Sequence, residues 1–286
     1  MTLLALGLTA CGSLFGTQPV PTPQATSTPE PPTPTPVPMA LTVNGEGIAY
    51  EEFDAEVARY VAAQEALGRI VPSEDATRVV IEDLVAQLLL AQAARANGFG
   101  MDEAALQTRI DSLAGQIGGA ENLTKWQSDQ GYTEQTFRSA LRRGAESAWM
   151  RDRIISNVPS TAEQVHVQQI LLYNEDKAQA FLMELNGGAD FDELASRADP
   201  LTRGDLGWVP RGYLLDAKIE EAAFSLAVGG HSDVIATDVG FHIIRVLASD
   251  PVRPLSPDAF LVLQELALKN WIEEQRQQAD IVLAPN

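Results

Sequence analysis

The chain has a single cysteine, Cys11. No intrachain disulfide can form, and no metal site built on several thiolates is available. Histidine is scarce as well: His166, His231 and His242 lie at no spacing typical of a zinc-binding helix. Basic residues are few. Lys and Arg number 20 against 39 Asp and Glu, a formal net charge of −19. A nucleic-acid backbone is therefore excluded as the expected partner, because such binding needs clustered cations that release counterions. The acidic excess serves solubility instead. No apolar run beyond the N-terminus reaches the ~18 residues of a membrane-spanning helix. The hydrophobic fraction of 45% over 286 residues is ordinary and allows a packed core in one to three domains.

Cys11 ends the apolar, small-residue run LLALGLTAC. This run resembles the lipobox of a bacterial lipoprotein, in which the cysteine is lipidated. A basic stretch is expected ahead of such a run and none is present, so residues 1–11 read as the remnant of a lipoprotein signal. Residues 12–39 follow as a tether. Nine of the 17 prolines fall between Gln18 and Pro38. Such a stretch cannot bury enough apolar area to offset its ordering cost, and it is expected to be disordered and extended, reaching roughly 65 Å.

The pattern then changes. Leu41–Val43 reads as a strand closed by Asn44-Gly45, a hairpin signal. A helix is predicted from about Tyr50, with Phe53, Val57, Tyr60 and Val61 at helical spacing. A second runs from Ser73 to Asn97, its stripe made by Ile81, Leu84, Val85, Leu88 and Leu89, with Asn97-Gly98 as its stop. Further helices fit 102–117, 120–130 and 133–156, so residues 40–158 form a helical, chaperone-like domain. Past Pro159 the chain reads as a small α+β unit, residues 159–250. It has a strand at 165–173, helices at 177–188, 191–197 and 219–226, and a return strand at 240–248. An amphipathic helix at 256–279, within residues 251–286, is expected to return and pack on the helical domain. The fold class is α+β: a helical domain completed by a C-terminal helix, with an inserted unit holding a small antiparallel sheet.

The tripeptide Arg203-Gly204-Asp205 invites an adhesion reading, but its neighbours argue otherwise. VHVQQILLY, GGADFDELA, RGDLGW, EEAAFSL and GFHII follow one another between 165 and 244. Their order and spacing resemble the parvulin family of peptidyl-prolyl cis–trans isomerases over residues 160–248. The helical region before and the helix after resemble the SurA/PrsA-like extracytoplasmic foldases. The tripeptide then falls inside the family's GDLG turn, where glycines permit a tight backbone.

The resemblance implies a site without metal or cofactor. His242 matches the family's second active-site histidine. Gln169 stands where the first histidine is usual; it still donates and accepts hydrogen bonds but cannot titrate near neutral pH. Asp199 falls where the family places an Asp or Cys facing the amide, and Thr237 matches a threonine that bonds the histidines. Leu214 and Ile219 match residues lining the proline pocket, and Phe224 a third apolar position near it, each also readable as core. Phosphate-directed parvulins carry an Arg/Lys cluster after the first strand. YNEDKAQ stands there, so phosphorylated substrates are not expected. The function implied is isomerisation of X-Pro bonds in unfolded, proline-containing clients, by a protein held outside the cytoplasm at the membrane through lipid on Cys11. The rival is a chaperone that binds clients on a parvulin scaffold without turnover.

Overall fold

The computed structural model describes residues 37–214 and 216–284. Cys11 and the proline-rich segment up to Pro36 lie outside the described residues. The described chain opens with a hairpin, in which β1 (Met39–Val43) pairs antiparallel with β2 (Glu46–Ala49). β1 thus begins on Met39, the last residue read as tether. Asn44 and Gly45 both take positive φ, 52° and 81°. Their backbone twist matches that of the flanking strands, which is why Asn-Gly is favoured there.

Five helices follow: α1 (Tyr50–Ala66), α2 (Ser73–Ala96), α3 (Glu103–Gln116), α4 (Ala120–Asp129) and α5 (Glu134–Ser156). Thr133 caps α5 in a reciprocal capping box with Thr136, which satisfies otherwise orphaned N–H groups. The apolar stripe of α2 packs Val80, Leu84, Val85, Leu88 and Leu89 against Leu41, Val43 and Ile48 of the hairpin. Buried charges also cross-link these elements. Arg143 on α5 donates to Glu52 on α1 at 2.7 Å, and both side chains are almost fully buried. Glu146, also on α5, takes the guanidinium of Arg95 and the Met101 N–H.

The α+β unit comprises β3 (Thr161–Leu172), α6 (Glu175–Asn186), α7 (Phe191–Ala198), β4 (Asp205–Pro210), α8 (Ala217–Ser225), β5 (Ile235–Thr237) and β6 (Gly240–Pro254). Its four strands are antiparallel, in the order β4-β3-β6-β5. Both faces of the sheet are covered. Val165, Val167, Ile244 and Val246 meet Ile219 and Ala223 of α8. Ile170 and Ile243 meet Leu185 of α6 and Phe191 and Leu194 of α7. The two-residue alternation of strands makes this division, and it also decides where Gln169 and His242 point.

Two strands of the α+β unit were not legible in the sequence. GDLGW is not only a turn: from Asp205 on it is β4, an edge strand paired to β3. β5 is three residues long, too short for any alternation to show. β3 and β6 also extend beyond 165–173 and 240–248, pairing as far as Thr161 with Pro254. Those added residues are largely polar and carry no buried stripe.

The chain ends with α9 (Pro257–Gln278) and β7 (Ile281–Leu283). α9 packs on α2 and α5; Ala267, Leu268, Trp271 and Ile272 lie against Leu90, Ala94, Met150 and Ile154. β7 pairs antiparallel with β1, so the last strand extends the sheet that the first hairpin began.

Candidate active site

Gln169 lies on the same face of β3 as Val165 and Val167, and His242 on the same face of β6 as Ile244 and Val246. Both therefore turn toward α8. Strand pairing sets Gln169 opposite Ile244 and Leu171 opposite His242, which makes Gln169 and His242 diagonal neighbours. Their side chains meet: His242 Nδ1 is 3.0 Å from Gln169 Oε1. On the other side, His242 Nε2 is 2.9 Å from Thr237 Oγ1, presented by β5 at the edge of the sheet.

The partners fix the tautomer. Gln169 Oε1 only accepts, so Nδ1 carries the proton and donates. In the neutral ring Nε2 must then accept, and the Thr237 hydroxyl donates to it at 2.9 Å in preference to the Gly240 carbonyl oxygen 3.3 Å away. Thr237 Oγ1 in turn accepts from Val239 N–H at 3.2 Å. The result is one chain of hydrogen bonds running in a single direction, each polarising the next. His242 is 3% exposed. Burial holds its imidazole below the ordinary histidine range, with the Asp216 carboxylate pulling the other way.

Beside this chain lies a cavity of about 600 Å³. Leu206, Tyr213, Leu214, Ile219, Val239 and Val262 give it apolar walls, and Gln169, Thr237, Asp216 and Asp238 its polar lining. Gln169 and Thr237 reach the cavity, whereas His242 stands between them and holds them. With its oxygen taken by His242, the Gln169 amide nitrogen makes no hydrogen bond among the described residues and is available as a donor at the cavity.

The residues singled out in the sequence divide accordingly. His242, Gln169 and Thr237 form one bonded cluster, with Leu214 and Ile219 on the cavity beside it. Asp199 lines a second cavity of about 300 Å³, which shares Gln169 and includes Leu171, Tyr173 and Leu201. Its carboxylate is engaged by its own loop: Thr202 Oγ1 donates to it, as do the N–H groups of Leu201 at 3.0 Å and Thr202 at 3.2 Å. The Thr202 hydroxyl first, then these N–H groups, hold it below the usual carboxylate range. Phe224 lines neither cavity. It packs beside the core under α8, with Arg211 over its ring at 4.0 Å. Leu206, Tyr213, Asp216, Asp238, Val239 and Val262 were missed; they sit on β4, on loops and on α9, outside any stripe the sequence showed.

The Arg203-Gly204-Asp205 tripeptide is part of the same construction. Arg203 and Gly204 take φ of 55° and 68°. A Cβ on Gly204 would stand 1.8 Å from the Gln169 carbonyl oxygen, and Gln169 N–H donates to the Gly204 oxygen at 2.8 Å. The turn thus clamps the backbone of the strand residue that faces both cavities. Asp205 accepts from Gly207 N–H at 2.8 Å and meets His166 Nε2 at 2.7 Å. Its side chain is 51% exposed, and these two contacts engage the carboxylate within its own turn and sheet edge. Among the described residues no group of three His, Cys, Asp or Glu side chains could hold a metal ion, and no helix is long and apolar enough to cross a membrane.

Fold and cluster together define an α+β unit of parvulin type joined to a helical region. Residues 157–260 match the PPIC-type PPIASE domain, and residues 3–148, just over half the chain, match the SurA-like N-terminal domain. The chain belongs to the SurA-like, PPIC-type parvulin family. It is 27% identical over 188 residues to the foldase protein PrsA of Geobacillus sp. (strain WCH70), covering 62% of this chain and 65% of that protein. It is 33% identical over 132 residues to a parvulin-like PPIase of Rickettsia bellii (strain RML369-C), covering 42% of this chain and 46% of that one. The chain spans less than two thirds of either relative's length. Among solved structures, the peptidylprolyl isomerase PrsA of Bacillus cereus aligns over 84% of this chain and 86% of its own, with 18% identity and a TM-score of 0.44.

Proposed function

We propose that the protein is a peptidyl-prolyl cis–trans isomerase and foldase acting on unfolded, proline-containing clients. The observation that carries this is the Gln169–His242–Thr237 hydrogen-bond chain set beside an apolar cavity. Rotation about an X-Pro bond meets a barrier of ~18–20 kcal/mol that arises from amide resonance. No covalent bond need form to lower it. The apolar walls seat the pyrrolidine ring and exclude water, which favours the twisted, less resonant amide over both planar forms. The Gln169 amide, held by His242, donates to a carbonyl of the bound segment. Asp199, on the neighbouring cavity, faces the same segment across Gln169.

The substrate is unphosphorylated. The ionisable residues lining the larger cavity, apart from Tyr213, are the acids Asp216 and Asp238, which repel a phosphate rather than pair with it. The domain partition goes with this reading: residues 40–158 hold clients, 159–250 carry the isomerase as an insert, and 251–286 close the helical part. A lipid on Cys11 and the proline-rich tether would hold the molecule on the outer side of a membrane; the mass of the native N-terminus tests that part. For the activity, the test is a protease-coupled assay on unphosphorylated peptides with several residues before proline. The expected result is isomerisation above the uncatalysed rate, with no gain from phosphorylation. No rate on any peptide, together with suppressed client aggregation, would establish the binding-only rival.

A further inference from the structure

The larger cavity has a wall that the parvulin unit does not supply. Val262 lines it together with Tyr213, Leu214 and Ile219, yet the PPIC-type match stops at residue 260 and Val262 belongs to α9. The rest of that helix runs away into the helical part of the molecule, where Ala267, Leu268, Trp271 and Ile272 are packed.

The placement of Val262 is fixed at both sides. Upstream, β6 runs to Pro254, and Leu255 N–H donates to the Ser160 oxygen at 2.9 Å, which ties the connection to the start of β3. Ser256 caps α9 through Ala259 N–H at 3.2 Å, and Ala259 is 1% exposed. Downstream, the loop after β4 lies directly on the helix. Gly212 has φ of 83°, and a Cβ there would stand 2.5 Å from Leu266 Cδ2 and 3.4 Å from Leu263 Cδ2. A side chain at 212 would have to displace the Leu266 methyl and adopt a strained backbone, and the same loop carries Tyr213 and Leu214 to the cavity. Val262 itself remains 37% exposed, and Val239, in the turn between β5 and β6, 64%. These apolar side chains face the cavity with area still to bury.

We infer that Val262 of α9 contacts the substrate, so that the groove is composite and selects a proline flanked by an apolar side chain. The proline ring sits on Leu214 and Ile219, and the flanking side chain covers Val262. This rests on the isomerase reading above. It adds that selectivity is set partly by the helix that joins the insert to the helical domain.

The test is binding of two fluorescein-labelled, unphosphorylated peptides, one centred on Leu-Pro-Leu and one on Ser-Pro-Ser, followed by fluorescence anisotropy. The full chain is compared as wild type, Val262→Ala, Val262→Asp and Leu214→Ala, each with a melting curve. Val262→Ala is expected to raise the Kd for Leu-Pro-Leu about fourfold, the size suited to a half-buried pair of methyl groups losing an apolar contact. Val262→Asp should raise it about tenfold or more. Ser-Pro-Ser should be affected far less by Val262→Ala, with melting unchanged. A merely structural role would weaken both peptides equally and lower the melting point, and that outcome overturns the inference. If Leu214→Ala weakens binding while both Val262 variants bind as wild type does, the composite groove is wrong and the isomerase reading stands. If neither peptide binds the wild type, or no variant changes binding, both fall.

Discussion

At the scale of single residues, the site depends on a few contacts with little tolerance. Gly204 is the plainest. Its missing Cβ lets the turn close on the Gln169 carbonyl, and its φ is positive as well. Gly204→Ala should therefore cost about 2–4 kcal/mol, since backbone must move on one side or the other; a urea titration reads it, and an unchanged midpoint would contradict the clamp. His242 gives a pH dependence. Its folded-state pKa is lowered by burial, so the unfolded chain binds the proton more readily. Its contribution to stability is complete above the ordinary value of about 6.5 and is lost as pH falls through the folded value. Melting temperature should decline on the acid side of neutrality, and less steeply in His242→Gln. Much of this cluster was legible beforehand: His242 and Thr237 stand in recognisable blocks, and Gln169 marks its own departure. The engagement of Asp199 by its own loop was not, because a carboxylate that faces a substrate and one that caps a turn leave the same letter. Phe224, half-buried beside the core under the Arg211 guanidinium, took the core role that the sequence offered beside the pocket one, since an apolar residue on α8 fits both.

At the scale of elements, legibility followed periodicity. α2 and α5 run over many turns, so their stripes and caps define them within a residue or two. β4, β5 and β7 run six, three and three residues, and their existence is decided by the neighbour that each one pairs with. The helices are also joined by charges that no stripe reveals. Arg143 on α5 and Glu52 on α1 are each 7% exposed. Removing one partner leaves the other charge buried and uncompensated. Arg143→Ala should thus cost about 3–5 kcal/mol, whereas the exposed pair of Lys125 with Asp129 should be worth no more than about 0.5 kcal/mol. Chemical denaturation of Arg143→Ala and Lys125→Ala compares them; equal losses would contradict the distinction.

At the scale of the whole molecule, the chain leaves its helical part at Ser156, builds the α+β unit and returns through α9 and β7. Because β7 pairs with β1 and α9 packs on α2 and α5, the helical part keeps its own contacts if the insert is removed. Replacing residues 160–250 with a short Gly-Ser linker should leave a soluble protein with a helical circular dichroism spectrum, and an unfolded product would refute the insert topology. The central claim is that the Gln169–His242–Thr237 chain turns an apolar cavity into an X-Pro isomerase. Exchange NMR tests it most directly, by reading cis–trans interconversion of an unphosphorylated Leu-Pro peptide with catalytic amounts of the full chain. Wild type should speed exchange above the free peptide, and Gln169→His should match or exceed it. His242→Ala should lower kcat/KM about tenfold, the ~1.4 kcal/mol expected when a held donor is released, with its fold verified by melting. Exchange as fast with His242→Ala as with wild type would contradict the claim.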